Sequence, residues 1–145
     1  MAFTVVRRSP LAPEDAWAAL TDFAAHTAHV PLTSVRTDPG EPHVGWHVVA
    51  VTAAGPARFS DPMYLTVWDP PRRFRMVKTG WLLAGWAEVE VEPDGAGSVI
   101  SWREEISLHG AVLGRLTRPA GDAIAPRLFG PVVEGLLRAA EAATT

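Results

Sequence analysis

The 145-residue chain contains no cysteine, which removes disulfides, thiolate nucleophiles and cysteine metal sites together. Tyrosine is nearly absent too, one residue against six tryptophans. Positive charge is not in excess: 13 Lys and Arg against 16 Asp and Glu leave a net charge of -3, which argues against a broad electrostatic footprint for nucleic acid. No apolar run approaches the length of a membrane span. The N-terminal MAFTVVRRSP has no continuous apolar segment of the signal-peptide kind, so the chain reads as cytoplasmic. A nucleophile elbow, an HExxH helix, a phosphate-binding loop and a dinucleotide fingerprint are all missing from the sequence. Those absences exclude several large enzyme classes and leave small-molecule binding or acid-base catalysis. No cofactor and no metal are expected.

What is present fits one soluble globular domain over residues 1–145, with 48% hydrophobic and 20% charged residues. Phe3 to Arg8 is rich in strand formers and is stopped by Ser9-Pro10. Pro13 suits the first position of a helix, Glu14 and Asp15 put acid at its positive end, and Ala16, Trp17 and Leu20 form an apolar stripe. Asp22 to His29 continues as a second short helix up to Pro31. Its Asp22, His26 and His29 have a spacing that would let them share a face as metal ligands, although histidines on a short helix are more often simply solvated.

From Leu32 to His109 the pattern changes to strands broken by Asp38-Pro39-Gly40, Ala54-Gly55-Pro56, Asp69-Pro70-Pro71, Gly80 and Pro93 to Gly97. With the first strand this makes a seven-stranded antiparallel sheet. Alternation puts Leu83, Gly85, Ala87, Val89 and Val91 on the inner face and Trp86 on the outer one. Phe74 and Met76 point inward together with Lys78. Trp46 is preferred inside over the alternate set His47, Val49 and Val51. In Met63 to Trp68 both faces are apolar, so either Tyr64 and Trp68 or Met63, Leu65 and Val67 line the interior, with Pro62 marking a bulge or an edge.

The sharpest conflict lies in Ser98 to His109. Ile100, Trp102, Ile106 and Leu108 share a face with one carboxylate, Glu104. A carboxylate among hydrophobes is a neutralised acid, half of an ion pair with Lys78 or Arg7, or a ligand contact. After a connector at Gly110 to Thr117, Pro119 opens a C-terminal helix. Ile124, Leu128, Val132, Leu136 and Ala140 form its apolar stripe, Glu134 and Arg138 pair on the other side, and kinks fall at Pro126 and Gly130-Pro131.

The entry APEDAWAALTD, the turn VWDPPRRF, the hairpin PDGAGSVISW and the closing PVVEGLLRAAE, in this order, resemble the START-like, or helix-grip, superfamily and within it the polyketide cyclase/dehydrase and lipid-transport branch. The resemblance implies an α+β fold in which a curved antiparallel sheet grips a long C-terminal helix, with two short helices between strands 1 and 2 and a ligand cavity between sheet and helix. It supplies no catalytic residue. The leading expectation is a binding or carrier domain for a hydrophobic or aromatic small molecule, contacted by Trp46, Tyr64, Met76, Lys78, Leu83, Trp102, Glu104, Leu128 and Val132. The enzyme alternative is a polyketide cyclase or dehydratase with Glu104 as acid and His47 as base. Trp86 on the sheet exterior would instead serve a protein-interaction module or a homodimer.

Overall fold

The computed structural model describes residues 2–30, 32–81, 83–108 and 131–144. Strand β1 (Ala2–Ser9) runs into Pro10, and helix α1 (Pro13–Thr21) opens on a proline, where a missing N–H is harmless. Ala16, Trp17 and Leu20 are its buried stripe. The second helix expected from the sequence is only a single 3₁₀ turn, Ala25–Ala28. Asp22 Oδ1 accepts from the Ala25 N–H at the entry to that turn (3.1 Å).

Strands β2 (Thr33–Thr37), β3 (His47–Ala54), β4 (Ala57–Asp69), β5 (Arg73–Thr79), β6 (Leu83–Asp94) and β7 (Gly97–Leu108) follow. They pair antiparallel in the order β1-β7-β6-β5-β4-β3-β2, so six consecutive strands form a meander and β1 closes onto its far end. Helix α2, residues 131–144, turns Val132, Val133, Leu136 and Leu137 inward. Ser9 Oγ donates to Glu141 Oε1 at 2.6 Å, tying α2 to β1, and Glu134 pairs with Arg138. The expected connector at Gly110 to Thr117, the helix start at Pro119, the kinks at Pro126 and Gly130, and the stripe positions Ile124 and Leu128 lie outside the described residues.

The inner face of the sheet is graded from large to small. One cross-strand row joins Trp68, Phe74, Val89, Trp102 and Val5. Trp17 stacks on that row, with ring centroids 5.0 Å from Trp68 and 5.7 Å from Phe74, while Phe23 meets Phe74 at 5.5 Å. These rings clamp α1 and the turn after it onto the sheet. The next rows toward the other end carry Met76, Ala87 and Glu104, then Met63, Lys78, Gly85 and Ile106. Ala87 and Gly85 supply almost no volume at the centre of the sheet, so the sheet cannot close-pack there against the helices. Gly85 is also fixed by its backbone: at φ +143° an added Cβ would stand 1.8 Å from the Glu105 carbonyl oxygen.

Strand β4 resolves the two-faced apolar run in an unexpected way. Its register shifts between Leu65 and Val67, so Met63 and Leu65 point inward before the irregularity and Trp68 after it. The bulge falls at Thr66 and not at Pro62. On the outer face Arg75 lies over the Trp86 ring, 4.4 Å from its centroid, and the indole N–H donates to Glu105 Oε2 at 3.0 Å. One face and the polar edge of Trp86 are therefore already occupied within the sheet.

Candidate functional site

Where the inner rows become small, the sheet, the turn after α1 and α2 enclose a cavity of about 170 Å³. Its walls are mostly apolar, from Phe23 and Val30 through Val48, Met76 and Ala87 to Val132. Of the residues expected at a ligand, Met76, Lys78, Leu83, Trp102, Glu104 and Val132 line this space. Trp46 is inside as expected, 5% exposed, but it packs against Phe23 (5.8 Å between rings) and does not line the cavity. Tyr64 and His47 are corrections. They are cross-strand partners whose rings meet at 6.3 Å on the outer face, and His47 Nδ1 sits 2.9 Å from Asp38 Oδ2 on an exposed surface. The physical reason is alternation: with Trp46 and Val48 inward, His47 must point outward, which removes it as a base for this cavity. Leu128 lies outside the described residues.

The polar end of the cavity is built around Lys78, 7% exposed. Its Nζ donates to Asp61 Oδ2 at 2.8 Å and lies 3.3 Å from Glu104 Oε1 and 3.4 Å from Met63 Sδ. Lys78 reaches Glu104 diagonally across β6 because only Gly85 and Ala87 stand between them. Trp102 Nε1 donates to the other oxygen of Glu104 at 3.2 Å. The cation that Glu104 meets is therefore Lys78. Arg7, the other candidate partner, lies at the surface 3.9 Å from Glu134.

Burial pushes the Glu104 carboxyl above its ordinary value, with Lys78 and the Trp102 N–H pulling the other way. Burial alone would lower the Lys78 ammonium, but Glu104 and Asp61 more than reverse this, and its pKa is raised. The two directions look opposed for an ion pair. They agree once the stoichiometry is counted, because one ammonium serves two carboxylates and Glu104 is the more distant of them. Lys78 is disposed toward its charged form and Glu104 toward its protonated form.

A raised folded-state pKa means that folding favours protonated Glu104. Its stabilising contribution is complete below the ordinary value of 4.5 and is lost as pH rises through the folded value. Thermal melts across pH should therefore show wild type losing stability relative to Glu104→Gln from about pH 4.5 upward. Parallel curves would mean that the Glu104 pKa is the same in the folded and unfolded chain.

Two further residues belong to the site and were not singled out for it in the sequence. Asp61, 6% exposed, alternates with Phe59 and Met63 along β4, the same signal of an acid on an apolar face that exposes Glu104. His26, expected on a solvated helix, lines the cavity instead. Its Nε2 lies 2.9 Å from the Leu20 carbonyl oxygen, which can only accept, so Nε2 carries the proton and Nδ1 keeps its lone pair. Burial lowers its pKa and favours this neutral form. Among the described residues no group of acids and histidines is arranged to hold a metal ion, and no helix is long and apolar enough to cross a membrane.

A curled seven-stranded sheet, a C-terminal helix and an apolar cavity between them define a helix-grip domain with an internal chamber. The chain belongs to the polyketide cyclase/dehydrase and lipid transport family, whose sequence profile matches residues 1–144. No curated protein matches it. Among solved structures it is similar to TTHA0849 from Thermus thermophilus, at TM-score 0.79 and 17% identity over 100% of both chains. It is also similar to the di-domain ARO/CYC StfQ from the steffimycin biosynthetic pathway, at TM-score 0.79 and 12% identity, covering 99% of this chain and 51% of that one. A second di-domain ARO/CYC, BexL from the BE-7585A pathway, gives TM-score 0.71 and 13% identity over 97% of this chain and 50% of the other. At these identities the likeness establishes the fold.

Proposed function

We propose that the protein binds a mostly apolar small molecule in the chamber between sheet and C-terminal helix. The observation that carries this reading is the cavity of about 170 Å³ with apolar walls and a buried polar cluster at one end. A protein cavity of about 150 Å³ accepts benzene, so this one suits a ligand on the order of one or two fused rings. The family's description, polyketide cyclase/dehydrase and lipid transport, supports a ligand of apolar character.

A second reading, a cyclase or dehydratase, is favoured by one specific feature. The chamber walls carry both a histidine whose burial favours the neutral form, His26, and a carboxyl disposed toward protonation, Glu104, which puts a base and an acid in one cavity. The two ARO/CYC neighbours are consistent with that chemistry. One experiment separates the readings. Val132→Trp, which fills the chamber from α2, should abolish binding of an apolar fluorescent probe. His26→Gln should leave probe binding within about threefold, a change under about 1 kcal/mol, whichever reading holds. Loss of turnover of a β-keto aromatic precursor in His26→Gln would establish the enzyme, and probe binding unaffected by Val132→Trp would sink both readings.

A further inference from the structure

The polar end of the chamber is rich in acceptors and poor in donors. Lys78 is the single lysine or arginine among the described residues that line the cavity, and its three N–H groups already face Asp61 Oδ2, Glu104 Oε1 and Met63 Sδ. The Trp102 N–H is committed to Glu104. Asp61 Oδ1, by contrast, is buried with no hydrogen-bond partner among the described residues, and it belongs to a side chain lining the cavity. An unmatched carboxylate oxygen in a desolvated site is costly until a donor reaches it. His26, whose Nε2 lies against the Leu20 carbonyl oxygen, is on the same walls. With two carboxyl groups against one ammonium, the cluster carries no positive excess while Asp61 is ionised.

We propose that the chamber selects a ligand whose polar end donates a hydrogen bond, a phenol or alcohol hydroxyl, to Asp61 Oδ1, and that it rejects a carboxylate. This rests on the chamber being the ligand site. A free fatty acid or aromatic acid would bring a further anion to a lysine with no spare donor, so the buried cation works as the counter-ion of the cluster and not as an anion receptor. A hydroxyl instead supplies the donor that Asp61 Oδ1 lacks among the described residues, so its donor end decides the orientation.

Isothermal titration of the whole protein with naphthalene, naphthol and naphthoate tests this. Naphthol should bind about tenfold more tightly than naphthalene, the worth of one hydrogen bond to a charged acceptor, and naphthoate more weakly than naphthalene. Asp61→Asn, which keeps the shape and removes the charge, should cut the naphthol advantage to about threefold or less and narrow the gap to naphthoate. Naphthoate binding as tightly as naphthol while naphthalene also binds would overturn the selectivity and leave the chamber as a binding site. Failure of all three to bind would instead overturn the reading of the chamber itself. An unchanged naphthol preference in Asp61→Asn would remove Asp61 as the acceptor.

Discussion

Lys78→Met is expected to cost about 3–5 kcal/mol of folding stability, because it removes the cation and leaves two carboxylates in a desolvated cluster. Methionine fits the volume, so the loss is electrostatic and not a packing defect. Asp61 and Glu104 are 6% and 2% exposed, and neither can turn to water without opening the chamber. The sign of the pH dependence follows. Without the ammonium, Glu104 loses the charge that pulls its pKa down against burial, so the variant should regain stability as pH falls, where wild type gains less. Urea denaturation of both proteins over a pH series measures this directly. A loss below about 1 kcal/mol that does not change with pH would show that water reaches the cluster and screens it. The result also bears on the ligand, since a cluster this dependent on its cation holds no positive charge in reserve for an acid.

Much of the chamber can be read from alternation alone. Lys78 and Glu104 each break a run of apolar residues on one strand face, and period two carries both to the interior. The small side chains Gly85 and Ala87 are visible on the inner face of β6, but their consequence is not, because it depends on which strands flank β6 in the sheet. Asp61 obeys the same rule as Glu104, yet it stands just before Pro62, which reads as a bulge or an edge and so hides the regular alternation of a strand that runs from Ala57 to Asp69. The bulge at Thr66 cannot be foreseen from pattern, since both faces of that segment are apolar and either phase reads equally well. His26 illustrates a different limit. No periodicity in a four-residue turn says which way its ring points, and only the clamp of Phe23 against Phe74 and Trp46 turns it into the chamber. His47 is different again, because an inward Trp46 already requires an outward neighbour.

That clamp sets the other large effect. Phe74 is fully buried and touches the rings of Trp17, Phe23 and Trp68, with centroids 5.7, 5.5 and 6.2 Å away. Phe74→Ala should therefore cost about 3–5 kcal/mol, the sum of lost burial and a void that the stiff rings around it cannot close. Phe74→Leu keeps most of the volume and should cost about 1–2 kcal/mol. The two variants separate stability from the geometry of the chamber. If the ring cluster positions Phe23 and His26, probe affinity should fall in Phe74→Ala under conditions where the protein remains folded, and should fall much less in Phe74→Leu. Denaturation curves together with probe titration at low denaturant make the comparison. Equal affinities in all three proteins would mean that the turn after α1 is held by its own contacts, chiefly the bond from His26 Nε2 to the Leu20 carbonyl, and that the aromatic rows serve stability alone.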